Sequence, residues 1–189
     1  MNKKEVKIIG IVGSLREKSY NKMAILAAKD LLPDNSTLEI IEINDIPFFN
    51  EDIEKQGLPK SVIDFKNKLV EADAILIATP EYNYSVSGVL KNALDWASRG
   101  RLLPLRGKPV GIISASMGML GGARVQYHLR QICVALDMIP INKPEVFIAK
   151  AHEKFDPNGN LIDEYGKKVI TELLDNLITF TRVINKNID

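Results

Sequence analysis

A short segment near the start of the chain, GSLREKSYN over residues 13–21, concentrates side chains that can bind phosphate. These side chains are two hydroxyls, one guanidinium and one amide, from Ser14, Ser19, Arg16 and Asn21. The sequence that follows, NKMAILAAKDLL, has helical spacing, so the segment leads into a helix N-terminus, whose unpaired N–H groups attract anions. Because Arg16 adds a full positive charge suited to a bidentate contact, the segment predicts a phosphate site.

The segment has two other interpretations. The serines could simply cap an ordinary strand-to-helix turn, and this alternative stays open. Lys18 and Ser19 resemble the end of a Walker A loop, but Glu17 stands where that loop has a glycine, and its carboxylate would repel a triphosphate. The sequence also lacks the G-x-G-x-x-G dinucleotide fingerprint.

A second polar segment, PEYNYS over residues 80–85, follows a strongly apolar run. Pro80 ends the run and stiffens the turn, so the backbone amides after it can point at a fixed planar target such as the pyrimidine edge of a flavin. Those amides belong to Glu81, Tyr82 and Asn83. The alternative is a surface loop whose tyrosines pack locally or at a subunit contact.

A third segment, SASMGMLGG over residues 114–122, contains three glycines among small neighbours. Such a loop allows close backbone approach and offers amide donors toward developing negative charge. Taken alone, it indicates only a flexible loop.

The elements that must position these segments alternate between strand and helix. Apolar runs at 6–12, 38–43, 74–79, 109–114 and 145–148 predict strands, and helical spacing predicts helices between them and a terminal helix over 162–183. This alternation predicts one α/β domain over residues 1–189, a doubly wound five-stranded parallel sheet in the flavodoxin order 2-1-3-4-5 with helices on both faces. The three polar segments then meet beyond the carboxyl ends of strands one, three and four, where such sheets bind ligands.

The composition excludes several other classes of function. A net charge of +1 with acids and bases interleaved gives no field to hold nucleic acid or an anionic membrane. No apolar run reaches the ~18 residues that a membrane span requires, and the N-terminal run is interpreted as a strand rather than a leader. The single cysteine, Cys133, lies in an apolar helical pattern and predicts a buried, inert thiol in a cytoplasmic protein. His128 and His152 have no partner at zinc-like spacing, so no metal site is expected.

Three stretches of the sequence together resemble the NAD(P)H-dependent FMN reductases, a flavodoxin-like group that includes quinone, azo-dye and chromate reductases. The stretches are GSLREKSYN, PEYNYSVSGVLKNALDW and SASMGMLGGARVQYHLRQ. The resemblance implies FMN as cofactor, with its phosphate on Ser14, Arg16, Ser19 and Asn21. It places Pro80, Glu81, Tyr82 and Asn83 around the isoalloxazine and ribityl, and Ser116 and Gly118 at the other edge of the ring. It also implies a homodimer or homotetramer, in which Trp96, Arg124, Tyr127 and Glu145 belong either to an interface or to the solvated surface.

The resemblance implies a ping-pong reaction. NADH or NADPH gives hydride to the flavin and leaves, and a small acceptor such as a quinone, azo compound, chromate or flavin then takes two electrons. No catalytic side chain and no metal are expected, because the cofactor carries the chemistry. The alternatives are a flavodoxin-type electron carrier to protein partners, which is usually more acidic than this chain, and a flavin-binding regulatory protein without turnover.

Overall fold

The computed structural model describes residues 5–186, and its centre is a parallel β-sheet. The long strands are β1 (Val6–Val12), β2 (Ser36–Ile41), β3 (Ala74–Thr79) and β6 (Pro109–Ala115). Two short strands, β7 (Ile139–Pro140) and β8 (Val146–Ile148), both pair with β6. The order is β2-β1-β3-β6-β7, which confirms the predicted flavodoxin-like order, with the fifth position filled by two short pieces.

The helices cover both faces of the sheet. They are α1 (Tyr20–Asp30), α2 (Glu51–Lys55), α3 (Lys60–Glu71), α4 (Gly88–Ala97), α5 (Ala123–Ala135) and α6 (Glu164–Lys186), with a 3-10 turn at Ala151–Glu153. The strands are apolar at nearly every position because alternate residues enter different cores. Ile8 packs in the core beneath α1 and α6, whereas its neighbour Ile9 packs in the core beneath α3, α4 and α5.

Two polar segments without a strand or helix pattern in the sequence contain regular structure. The polar stretch over 44–60 includes the short helix α2, which Asn50 caps by accepting a hydrogen bond from the N–H of Asp52. The segment after β3 forms a two-stranded antiparallel hairpin, β4 (Glu81–Tyr82) and β5 (Ser85–Val86), rather than an open loop. The first of these follows the carboxyl end of β2, and the hairpin, which is the second polar segment, follows the carboxyl end of β3.

Candidate cofactor site

The three polar segments meet beyond the carboxyl ends of β1, β3 and β6, and hydrogen bonds join them. The N–H of Gly13 donates to the carbonyl of Ala78 at 2.8 Å, and the hydroxyl of Ser87 donates to the carbonyl of Gly13 at 2.6 Å. Ser87 is 1% exposed and also caps α4, since its oxygen accepts from the N–H of Leu90. The first segment is therefore fixed against the third strand and the helix that follows it.

The first segment presents hydroxyls at the positive end of α1. Ser19 is the N-cap of this helix, and its oxygen accepts from the N–H of Lys22 at 3.4 Å. Ser14 is nearly buried and accepts from the N–H of Arg16 at 3.4 Å. The guanidinium of Arg16 is exposed and lies 5.2 Å from the ring centroid of Tyr20. The first turn of α1 has no acidic residue, so nothing there offsets the helix dipole toward an anion.

Asn21 lies in the same place but is engaged within the protein. Its side chain is 3% exposed, donates to the carbonyl of Ala115 at 3.0 Å and accepts from the N–H of Ala115 at 2.9 Å. The amide thus joins the first turn of α1 to the end of β6. The phosphate contact expected of Asn21 stays a prediction, whereas the contact that the structure describes is one of positioning.

The second segment is a rigid hairpin. Pro80 is buried, and the two turn residues, Asn83 and Tyr84, have φ values of 50° and 66°. Two successive residues with positive φ are typical of the tight turn that joins two-residue hairpins. Tyr82 and Asn83 are exposed at the tip of the hairpin. Their backbone is therefore held in one conformation at the edge of the site.

Glu81 connects this hairpin to α5. Its Oε2 accepts from the N–H of Val125 at 3.2 Å, and its Oε1 lies 3.3 Å from the guanidinium of Arg124. The N-cap of α5, Gly122, has no side chain, so the carboxylate of Glu81 supplies the missing cap from a distant part of the chain. The guanidinium of Arg124 also lies 4.0 Å from the ring centroid of Tyr84.

The third segment is held by the chain that follows β8. The N–H of Ser116 donates to the carbonyl of Ile148, and the carbonyl of Gly118 accepts from the N–H of Lys150. Gly118 is exposed and has free space around it, so it brings an accessible backbone to the site.

Two other glycines of this segment, Gly121 and Gly122, stand at positions where a side chain would not fit. At Gly121, with φ 58°, a Cβ would lie 2.8 Å from the nitrogen of Ala149. At Gly122, with φ 88°, it would lie 2.7 Å from the Cβ of Ser114. Neither position accepts a side chain without strain, so the two glycines set the path of the segment into α5.

A cleft of about 280 Å³ opens between the first segment and the start of α4. Its lining residues are Gly13, Ser14, Leu15, Arg16, Phe48, Tyr82, Ser87, Gly88 and Val89. A second cavity, of about 240 Å³, lies on the side of β2 and shares Ser14, Leu15 and Arg16 with the cleft. Sequence reasoning found neither Ser87 nor Phe48. For Ser87 the signal was a serine directly before a helical pattern, and for Phe48 it was an aromatic pair shortly after β2.

The residues expected either at an interface or on the solvated surface differ in burial and in contacts. Trp96 is fully buried, and its Nε1–H donates to the carbonyl of Pro47 at 2.7 Å. Tyr127 is 57% exposed, and Glu145 pairs with Lys143 at 3.0 Å.

Cys133 is buried as expected, and burial raises the pKa of its thiol to about 11. Between residues 5 and 186, no cluster of three or more His, Cys, Asp or Glu side chains is arranged to hold a metal ion. No helix in that range is long and apolar enough to cross a membrane.

The residues at this edge of the sheet fit a flavin mononucleotide. The hydroxyls of Ser14 and Ser19 and the exposed Arg16 surround the N-terminus of α1, which suits a phosphate. The adjoining cleft, of about 280 Å³, is close to the lower end of the roughly 300–1,000 Å³ usual for small-molecule sites. The fold, with this arrangement at its switch point, defines an α/β protein of the flavodoxin type.

Comparison with known proteins agrees. The sequence matches the family of NADPH-dependent FMN reductases over residues 6–153. It is 48% identical over 178 residues to an NAD(P)H-dependent FMN reductase of Pseudomonas aeruginosa, covering 94% of this chain and 96% of that protein. It is 43% identical over 163 residues to a quinone reductase of Escherichia coli K12, covering 85% and 87% respectively. Among solved structures, the flavoenzyme NAD(P)H:acceptor oxidoreductase of Paracoccus denitrificans superposes with a TM-score of 0.85 at 30% identity, covering 93% of this chain and 97% of that one.

The chain therefore belongs to the NADPH-dependent FMN reductase family. Its membership confirms the resemblance read from the three segments and identifies an oxidoreductase whose family implies FMN and NAD(P)H.

Proposed function

We propose that the chain, as one domain, binds FMN at the carboxyl edge of its sheet and uses NAD(P)H to reduce small acceptors, quinones above all. One observation carries the proposal: the cavity that reaches the first turn of α1 at Lys22 and the cleft beside α4 share Ser14 and Arg16. A phosphate and a planar ring of the same molecule can therefore be bound side by side. The quinone reductase of Escherichia coli and the 2-hydroxy-1,4-benzoquinone reductase of Burkholderia, 39% identical to this chain over 179 residues, favour quinones among the acceptors.

Each segment has its own task in this proposal. Ser14, Ser19 and Arg16 bind the phosphate, and Asn21 holds the helix that presents them. In the hairpin, the backbone of Glu81, Tyr82 and Asn83 faces one edge of the flavin ring, with Pro80 beneath it. Ser116 and Gly118 face another edge. Backbone groups fixed in this way bind and orient a ring without any rearrangement during the reaction.

FMN held by these residues would supply the redox chemistry, with NAD(P)H as hydride donor and the small acceptor taking two electrons afterwards in a ping-pong sequence. The residues of the chain bind and orient it and leave one ring face open to donor and acceptor in turn. No protein nucleophile takes part.

The surface beside the hairpin supports a homodimer or homotetramer. Four side chains are each more than half exposed: Tyr84 of the hairpin, Met117 and Met119 of the third segment, and Tyr127 of α5. Apolar and aromatic groups of this kind are typical of a surface that another copy covers. We propose that copies of the chain meet there and that the protein works in the cytoplasm. Light scattering after size exclusion measures the number of copies, and a monomer at micromolar concentration would contradict this part of the proposal.

The test of the function starts with purified protein loaded with FMN under anaerobic conditions. We expect a yellow protein that NADPH or NADH bleaches directly, and whose colour returns when 1,4-naphthoquinone is added. A flavodoxin-type carrier would bind FMN but would not oxidise NAD(P)H by itself, and a regulatory protein would show no steady-state turnover. A colourless protein that does not bind added FMN would refute the proposal outright.

A further inference from the structure

Phe48 is the most exposed apolar residue of the cleft. Its side chain is 78% exposed, and it lines the cleft together with Leu15, Tyr82 and Val89. An aromatic ring at the rim of a cleft gains free energy when an apolar ligand covers it, so Phe48 offers a contact to a ligand bound in the cleft.

The segment that carries Phe48 is anchored on both sides by α4. Asn92, which is 8% exposed, accepts from the N–H of Phe49 at 2.7 Å and donates to the carbonyls of Ile46 and Pro47 at 3.3 and 2.9 Å. The indole of Trp96 donates to the same carbonyl of Pro47. These four hydrogen bonds fix the backbone immediately before and after Phe48.

The neighbouring side chain points away from the cleft. Phe49 packs edge-on against Trp96 with ring centroids 5.0 Å apart, and the guanidinium of Arg99 lies 5.1 Å from its centroid. Arg99 is itself held by two hydrogen bonds from Nε and one from Nη2 to the carboxylate of Glu54. The packing of Phe49 thus adds to the hydrogen bonds that hold the backbone on both sides of Phe48.

We infer that Phe48 contacts the ring of the acceptor and sets the preference of the enzyme for planar conjugated acceptors. This inference rests on the proposed function and adds a specificity-determining residue to it. The donor carries phosphate charges that basic groups can bind, so its binding depends on many contacts. A quinone is uncharged and small, so its binding depends on apolar contact, and an aromatic side chain offers a large, flat apolar surface for it.

The variant Phe48→Ala tests this inference, and Phe180→Ala is the matched control. Phe180 is 37% exposed on α6. It lies toward the amino ends of the strands, whereas Phe48 lies beyond the carboxyl end of β2. The nearby Arg182 shows this, because it donates to the carbonyl of Asn35, directly before β2. A second variant, Phe48→Leu, keeps an apolar side chain without the ring, so the series separates aromatic contact from general apolarity.

We expect Phe48→Ala to raise the KM for 1,4-naphthoquinone about tenfold, and Phe48→Leu about threefold, through loss of ring contact. The kcat with ferricyanide, an acceptor without a ring, and the rate of bleaching by NADPH should change less than about twofold. Without any donor, the Kd of 1,4-naphthoquinone for the FMN-loaded protein, measured from the perturbed flavin spectrum, should rise by the same factor as the KM.

Other outcomes would overturn the inference. A weakened FMN affinity in fluorescence titration would place Phe48 against the cofactor, and a slower bleaching by NADPH alone would place it against the donor. Equal losses for naphthoquinone and ferricyanide would show a general structural effect. If wild-type protein fails to bind FMN or to oxidise NAD(P)H, the proposed function fails instead, and that result is visible before any variant is made.

Discussion

Replacing Asn21 by alanine tests how the site is held together. The side chain satisfies both the N–H and the carbonyl of Ala115, which is 3% exposed. Each buried polar group left without a partner costs about 1–3 kcal/mol. Alanine in place of asparagine inside a helix returns about 0.5 kcal/mol. We therefore expect Asn21→Ala to lower the free energy of unfolding by about 1.5–5.5 kcal/mol.

The measurement is urea unfolding of FMN-free protein followed by circular dichroism, because bound ligand would add its own contribution to stability. In thermal melts the same loss corresponds to roughly 3–22 °C for a chain of this length. Asn21→Asp keeps the shape of the side chain but replaces its donor, so it should be destabilised comparably if hydrogen bonding is the cause. Asn158→Ala, in an exposed turn, is the control and should stay within about 0.5 kcal/mol of wild type.

A loss below about 0.5 kcal/mol for Asn21→Ala would refute the positioning argument. Melting with and without FMN then separates positioning from binding. A residue that only positions α1 lowers the Tm of both forms alike, whereas a phosphate contact lowers the Tm of the loaded form by an additional amount.

Three further changes test other parts of the site and core. Arg16→Ala should weaken FMN binding by roughly 1.5–3 kcal/mol, the value of charged hydrogen bonds, and clearly more than Lys18→Ala; equal effects in fluorescence titration would remove Arg16 from the phosphate site. Gly122→Ala should lower stability by more than about 2 kcal/mol in urea unfolding, because its Cβ would meet Ser114 at a backbone conformation that disfavours side chains; a wild-type midpoint would contradict this. Cys133 should resist iodoacetamide at pH 8 until the protein unfolds, as followed by mass spectrometry. Because burial raises the pKa of this thiol from 9.0 to about 11, its contribution to stability is present below pH 9 and is lost as the pH rises to about 11, a loss that Cys133→Ala should not show.

The sheet and the meeting of the three segments could be predicted because they follow from short-range patterns. Apolar runs such as 74–79 identify strands buried on both faces, and strand order fixes which strand ends are neighbours. The cap at Ser19 follows from the same kind of local pattern, a serine before helical spacing, although the sequence offered it only as an alternative to phosphate binding.

The contacts that could not be predicted join residues far apart in sequence. Asn21 binds Ala115 and Glu81 caps α5, and neither partner is visible from the local pattern. The hairpin was missed for a local reason: its turn uses Asn83 and Tyr84, whereas tight hairpins usually place glycine at the second position. The edge of the sheet was predicted as one strand because the apolar pattern did not show that Ile139–Pro140 also pairs with β6.

The indole that anchors the segment before Phe48 has a spectroscopic consequence. Trp96 is the only tryptophan of the chain, so all ultraviolet emission of indole origin reports one fully buried location. Its Nε1–H is bound to Pro47, so detachment of the segment would expose the ring to water and shift its emission to longer wavelength. A flavin in the adjoining cleft would accept energy from the excited indole and quench it. The fluorescence of Trp96 therefore reports two properties of the unlabelled protein. Its intensity reports whether a flavin occupies the cleft, and its wavelength reports whether the segment before Phe48 is attached.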